Sequence, residues 1–103
     1  MILLTIENIP GSNYQVLGMV CGNMVQSKNA FKDFGAGLKS VVGGELGSYT
    51  QMLSEAREVA IQRMIAQASQ MGADAIIGVR FSSSSIVQGA AEILASGTAV
   101  KLT

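Results

Sequence analysis

The chain has 103 residues, and its seven acidic and seven basic side chains give a formal net charge of zero at pH 7. This balance, without any run of like charges, argues against partners such as nucleic acid or an anionic membrane. Only 14% of the residues are charged, whereas about 25% is typical of soluble domains. A single domain over residues 1–103 with so few charges exposes much apolar surface, which predicts a homo-oligomer.

The first part of the chain predicts two strands. Ile2–Ile6 is apolar and rich in β-branched side chains, and Pro10-Gly11 marks a turn after it. The second strand, Tyr14–Gln26, is expected to have one face with Tyr14, Val16, Gly18, Val20, Gly22 and Met24, and another with Leu17, Met19, Cys21, Asn23 and Val25. Glycines within a strand often mark close backbone approach, so they are expected to let a helix lie flush on the sheet.

A short helix is predicted over Lys28–Val42, where apolar side chains recur at helical spacing. Gly35 and Gly37 weaken it by about 1 kcal/mol each. Because two of its apolar residues are aromatic, we interpret it as a packing or interface element, although Phe31 or Phe34 gating a pocket is an alternative. The interface candidates are Phe31, Phe34 and Leu38.

The longest predicted element is a helix over Ser48–Met71. Ser48 and Gln51 fit the S-x-x-Q capping box, and Gly72 can end the helix with a positive φ. One apolar face is formed by residues three and four apart: Tyr49, Leu53, Ala56, Ala60, Met64, Ala68 and Met71. A flank of further apolar residues makes this stripe wider than a helix on one sheet needs: Met52, Val59, Ile61 and Ile65. The flank is therefore expected to meet another element or another subunit.

Arg57 lies inside this wide stripe, where a charged side chain is unexpected. One interpretation is an arginine that extends to solvent or pairs internally with Asp74 or Glu92. The other is an arginine presented to an anionic ligand in a cleft.

Two further strands are predicted after the helix. The first, Ala73–Ser83, is expected to alternate Ala75, Ile77, Val79 and Phe81 against Asp74, Ile76, Gly78 and Arg80. The serine tract Ser82–Ser85, leading through Ile86–Gly89, predicts a mobile hairpin connection. The last strand is predicted over Ala91–Leu102, with Glu92 across from Arg80. The order β-β-α-α-β-β predicts an α+β, two-layer fold, an antiparallel sheet covered by one long helix.

The residue types exclude the commonest catalytic and metal chemistry. The chain has no histidine and one cysteine, Cys21, so Ser–His pairs, zinc imidazoles and disulfide frameworks are ruled out within one chain. Cys21 is expected to be a small buried hydrophobe beside Leu17, Met19 and Val25. Glycine motifs before the long helix fail the dinucleotide and P-loop spacings, and Gly43-Gly44 is interpreted as flexible linkage rather than an anion site. The apolar segment at Met1–Ile6 is too short for a signal or membrane-spanning segment, which predicts a cytoplasmic protein.

Five blocks of sequence together resemble the YbjQ-like family, also called the putative heavy-metal-binding domain family. They are Phe31–Gly44, Leu46–Tyr49, Ala56–Ala60, Gly72–Phe81 and Ser96–Val100. The resemblance extends in order over nearly the whole chain, and these blocks are its specific part. The resemblance implies a dodecin-like subunit in a pentameric ring. It supplies no catalytic residues and no cofactor. Its metal-binding name fits poorly, because soft metals take several thiolates or imidazoles and one chain offers only Cys21.

Three functional hypotheses follow. The first is a non-enzymatic, ring-forming protein with a binding or scaffold role, whose partner is a further copy of itself and which needs no cofactor. The second is a metal-binding or thiol-based sensor that uses Cys21. The third is an enzyme with an intersubunit site formed by Arg57, Asp74, Arg80 and Glu92, which predicts at least one of the carboxylates in a cleft.

Overall fold

The computed structural model describes residues 1–27, 41–42, 45–87 and 90–103. Its elements are β1 (Ile2–Leu3), β2 (Tyr14–Ser27), β3 (Val41–Val42), β4 (Glu45–Leu46), α1 (Gly47–Gln70), β5 (Ala75–Val87) and β6 (Ala90–Leu102). Four strands form one sheet in the order β1-β5-β6-β2, while β3 and β4 pair separately. Helix α1 packs mainly on β2 and β6. The predicted α+β class and the long helix over a sheet are therefore confirmed.

The sheet is mixed, and the prediction of a purely antiparallel sheet was wrong. Strand β1 runs parallel to β5, with Ile2 beside Ala75 and Leu3 beside Ile76. Its regular pairing ends there, short of the predicted strand end at Ile6, because β5 bulges between Ile77 and Arg80. The chain after β1 still follows β5, since the amide of Gly78 donates a 2.8 Å hydrogen bond to the carbonyl of Ile6.

The serine tract is part of β5 rather than a hairpin connection, which corrects the prediction for Ser82–Ser85. The antiparallel ladder continues through it, with Ser82 opposite Leu94 and Ser84 opposite Glu92. Ladder hydrogen bonds join backbone groups, so small hydroxyl side chains do not prevent pairing. The bulge also shifts the register, so Arg80 lies opposite Ser96 and not opposite Glu92 as predicted.

The predicted helix over Lys28–Val42 falls largely on residues outside those described. Its last two residues form strand β3, in which Val41 pairs with Leu46, so the helix prediction was wrong at that end. The interface candidates Phe31, Phe34 and Leu38 lie outside the described residues, as do Gly43 and Gly44.

Helix α1 begins at Gly47 and ends at Gln70, within one residue of the predicted bounds. Gly72 follows it with a φ of 81°, which confirms the predicted terminating glycine. The buried stripe repeats every four residues: Met52, Ala56, Ala60, Met64 and Ala68. Leu53 and Met71, predicted to share that face, are exposed at 41% and 38%, and Met71 lies beyond the end of the helix. No helix in the described ranges is long and apolar enough to cross a membrane.

Two apolar clusters lie on opposite faces of the sheet. The larger cluster, under α1, includes Val20, Met64, Ile76, Val79 and Ala99. The smaller cluster, on the other face, is built from Ala75, Ile77 and Val100, and residues from the segment after β1 pack against it. The segment 4–13 and the helix thus cover different parts of the sheet, and the distal part of the second face has no described cover.

Candidate functional site

An open cavity of about 250 Å³ lies between α1 and the β5–β6 hairpin. Leu53 and Arg57 come from the helix, and the strands supply Phe81, Ser82, Ser83 and Ile93. Ser83 and Ile93 are direct partners across the ladder, so they share a face of the sheet. The cavity forms because α1 lies over β2 and β6 and leaves this part of β5 uncovered.

Arg57 is exposed, and it has no hydrogen bond or ion pair with any described residue. The internal partners predicted for it are engaged elsewhere. Asp74 accepts a 2.9 Å hydrogen bond from the amide of Leu102 and lies 3.9 Å from Nζ of Lys101. Glu92 accepts a 2.9 Å hydrogen bond from Nδ2 of Asn23. Internal pairing of Arg57 was therefore a wrong prediction. Its exposure fits both remaining interpretations, a side chain that extends to solvent and one presented to an anion in a cleft.

The four charged residues proposed for an intersubunit enzyme are not brought together within one chain. Arg80 pairs with Glu7 at 3.7 Å and donates to the carbonyl of Thr5 at 2.7 Å. Asp74 lies at the opposite end of β5, and neither it nor Glu92 lines the Arg57 cavity. One chain therefore supplies no clustered acid–base pair from this set.

Cys21 is exposed, which corrects the prediction of a buried thiol. It belongs to the face of β2 that turns away from α1, together with Met19, Asn23 and Val25, because Val20 and Gly22 occupy the buried face. Met19 is 79% exposed and Val25 is 48% exposed. The described residues contain no group of three or more His, Cys, Asp or Glu suited to a metal ion.

We call this uncovered part of the sheet the outer face, and define it by Met19, Cys21, Val25, Leu94 and Glu92. Ser84 donates to Oε1 of Glu92 at 3.5 Å, so side chains of β5, β6 and β2 are linked across it through Glu92. Around this polar line the face is mixed. Met19 and Val25 of β2 are exposed apolar side chains, while Thr98 and Ser96 of β6 lie opposite Met19 and Cys21. A sheet face of this kind usually packs against another layer.

The sheet has one edge along β2 and another along the part of β5 that extends beyond β1, and the two edges differ in their hydrogen bonding. On β2, the amide of Cys21 donates to Oε1 of Gln67 at 2.7 Å, and Nη1 of Arg63 donates to the carbonyl of Asn23 at 2.7 Å. These helix side chains satisfy backbone groups that lack a strand partner. On β5, the distal segment Phe81–Val87 pairs with β6 on one side and with no described strand on the other.

Sequence reasoning does not identify Gln67 and Arg63 as edge-capping residues. The available signal is their spacing of four, which puts both on one line of the helix beside the buried stripe. That spacing alone does not say which strand lies beneath. The contribution of Phe81, Ser82 and Ser83 to the Arg57 cavity is also missed, because the serines were assigned to a turn.

Comparison with known proteins places the chain among well-defined relatives. A family model described as "Putative heavy-metal-binding", the YbjQ-like family, matches residues 1–103. A UPF0145 protein of Vibrio parahaemolyticus is 60% identical, over 99% of this chain and 98% of its own. A UPF0145 protein of Thermotoga petrophila is 56% identical, over 99% of this chain and 97% of its own.

A solved structure shares the fold. It is the crystal structure of a protein of unknown function from Pediococcus pentosaceus, assigned to the DUF74 family. The TM-score is 0.64 at 16% identity, and the match covers 100% of this chain and 98% of that one. At this identity the match supports the fold alone.

Proposed function

The chain belongs to the YbjQ-like, putative heavy-metal-binding family, and on that premise we propose that it is a non-enzymatic protein that assembles into a ring of identical subunits with a binding or scaffold role. The observation that carries this proposal is the outer face, where no described element covers the exposed side chains of Met19, Cys21 and Val25. The ring of five comes from the family resemblance to a dodecin-like assembly.

The exposed apolar side chains of the outer face favour self-association. Burial of apolar surface contributes about 25 cal/mol per Å², and a stable interface buries at least about 1,000 Å² in total. With 14% charged residues, the chain has few groups that would oppose such burial. The edge of Phe81–Val87 that no described strand pairs with would offer backbone donors and acceptors to a neighbouring subunit.

Native mass spectrometry of the untagged protein tests the assembly. We expect a single multimer in the parent protein, and a shift to smaller species in Met19→Lys, which places a charge on the outer face. Ala66→Lys is the matched control, because Ala66 is exposed on α1 and the variant adds the same charge away from that face. A parent protein that is monomeric at micromolar concentration overturns the proposal. A Met19→Lys variant that assembles like the parent removes the outer face from the interface.

A second candidate is binding of a soft metal ion, and the donors of one subunit do not fit it. Such ions take several thiolates or imidazoles, whereas the chain has one cysteine and no histidine. The candidate therefore requires copies of Cys21 from different subunits, with Met19 as a thioether neighbour. It is favoured by the exposure of both side chains on the same face of β2.

The same mass spectra test this candidate. After loading with copper(I) or zinc, bound metal appears as excess mass that is lost when the complex is stripped. We expect that mass to be absent in Cys21→Ser if Cys21 is the ligand. Equal metal binding by the parent and by Cys21→Ser rules the candidate out.

A further inference from the structure

The Arg57 cavity combines one unpaired cation with apolar walls and serine hydroxyls. We propose that it binds a small organic anion, whose carboxylate or phosphate group pairs with Arg57 and whose apolar part contacts Leu53, Phe81 and Ile93. The site lies within one chain, so the inference does not rest on the ring assembly proposed above.

The charge of the cavity selects an anion. None of the six described lining residues is acidic, so among them a cationic ligand would meet only repulsion from Arg57. The residues three and four positions from Arg57 on the helix are Leu53, Ser54, Ala60 and Ile61, so no carboxylate on its own helix face neutralises it. A guanidinium offers five donors and no acceptor, and its planar fork matches a carboxylate or phosphate with two parallel hydrogen bonds.

Arg57 has no hydrogen-bond or ion-pair partner among the described residues, unlike the other basic side chains that the structure describes. Arg63 donates to the carbonyl of Asn23, Arg80 pairs with Glu7, and Lys101 lies beside Asp74. Only Arg57, among these four, keeps its donors unused. Its guanidinium is therefore free to accept a ligand without breaking an existing contact of the described chain.

The walls and the size of the cavity define the rest of the ligand. Phe81 is 48% exposed, so an aromatic or short aliphatic group would cover surface that is now in water. The volume of about 250 Å³ is slightly below the range of about 300–1,000 Å³ for drug-sized ligands. A single cation in a cavity of this size suits a small monoanion or phosphate ester, and not a nucleic acid chain.

Phenylacetate is a suitable probe, and 2-phenylethanol is its neutral analogue. In a two-dimensional NMR titration of the full chain, phenylacetate is expected to produce saturable shifts of the Arg57 Nε–H signal and of the Phe81, Ser82 and Ser83 amides. Inorganic phosphate and phenyl phosphate, titrated separately, distinguish a carboxylate from a phosphate preference. 2-Phenylethanol is expected to bind at least about tenfold more weakly, because it lacks the charge-assisted hydrogen bonds.

Two arginine variants locate the anion. Arg57→Gln is expected to weaken phenylacetate binding about tenfold or more. Arg63→Gln removes the same charge from the same helix outside the cavity, and it is expected to change binding by no more than about twofold. Both variants are first compared with the parent spectrum to confirm that the remaining signals are unchanged.

Three results overturn the proposal. One is equal binding of phenylacetate and 2-phenylethanol, which indicates an apolar cavity without anion selectivity. Another is equal weakening by Arg57→Gln and Arg63→Gln, which indicates a general charge effect. The third is a set of cavity signals that respond to protein concentration and not to any probe, which indicates that a second copy covers the cavity. The first two results do not bear on whether a ring forms, and mass spectrometry measures assembly separately from all three.

Discussion

Gly22 of β2 lies directly against the backbone of α1 at Ala60. A Cβ atom at Gly22 would meet the carbonyl oxygen of Ala60 and the amide nitrogen of Met64. Both are backbone atoms within a packed helix, so neither can move as the end of a flexible side chain would. The small residues Ala56, Ala60 and Ala68 on the facing stripe are fully buried, and together with Gly22 they allow the helix to approach the sheet closely.

Replacement of Gly22 by alanine is therefore expected to be strongly destabilising. Overpacking a core costs about 1–3 kcal/mol, and we expect Gly22→Ala to lower the free energy of unfolding by about 3 kcal/mol, at the upper end of that range. Denaturant unfolding followed by circular dichroism measures the change.

Gly11→Ala provides the control for this measurement. Gly11 has a φ of 75° but no atom within 4 Å of an added Cβ, so only backbone strain of about 1 kcal/mol is expected. If Gly22→Ala lowers the free energy of unfolding by no more than Gly11→Ala does, the helix does not approach the sheet closely at Gly22.

The alternation of side chains along β2 shows what the sequence can predict and where it stops. The residues after the bulge follow the prediction, since Val20 and Gly22 face α1. Before the bulge, Tyr14 packs on the opposite cluster, although it was assigned to the same face as Val20. The bulge between Val16 and Gly18 adds one residue to β2, and one extra residue exchanges the faces.

Strand β5 repeats this exchange. Ile77 packs in the smaller cluster and Val79 in the larger one, although period-two alternation places them together. The bulge in β5 faces Ser96–Thr98 of β6, next to Ala99 and Val100, which face the bulge in β2. Bulges depend on how neighbouring strands pair, so a local pattern does not reveal them. For the same reason the sequence predicts an arginine within an apolar stripe of the helix, but it does not predict the cavity that β5 and β6 form beside Arg57.

The hydrogen bond from the Cys21 amide to Gln67 predicts a local effect of Gln67→Ala. Because β2 is an edge strand, the freed amide becomes accessible to water, so we expect a loss of stability of only about 1 kcal/mol. The sharper expectation is faster hydrogen exchange at the Cys21 amide, measured by NMR. Gln70→Ala is the control, since Gln70 is exposed near the same helix end and should leave that exchange rate unchanged. Equal exchange of the Cys21 amide in the parent and in Gln67→Ala would contradict the contact.

The ion pair between Arg80 and Glu7 is expected to contribute little to stability. Its side chains are 60% and 84% exposed, and the nearest charged atoms are 3.7 Å apart. Exposed pairs of this kind contribute about 0–1 kcal/mol, so Glu7→Gln should change the free energy of unfolding by less than about 0.5 kcal/mol. A larger loss, measured by denaturant unfolding at low and high salt, would indicate that Glu7 has a further role beside β5.

The reactivity of the exposed Cys21 thiol tests whether a neighbouring subunit covers the outer face. In Met19→Lys, which is expected to dissociate, the thiol should react with a colorimetric disulfide reagent without unfolding, because it is on the solvent side of β2. If the proposed interface covers the outer face in the parent, the same reaction should be at least about tenfold slower there. Ala66→Lys, which has the same added charge on α1, should react like the parent. Fast and equal reaction in all three proteins would mean that no neighbouring subunit covers Cys21, and the interface would then have to lie on another surface.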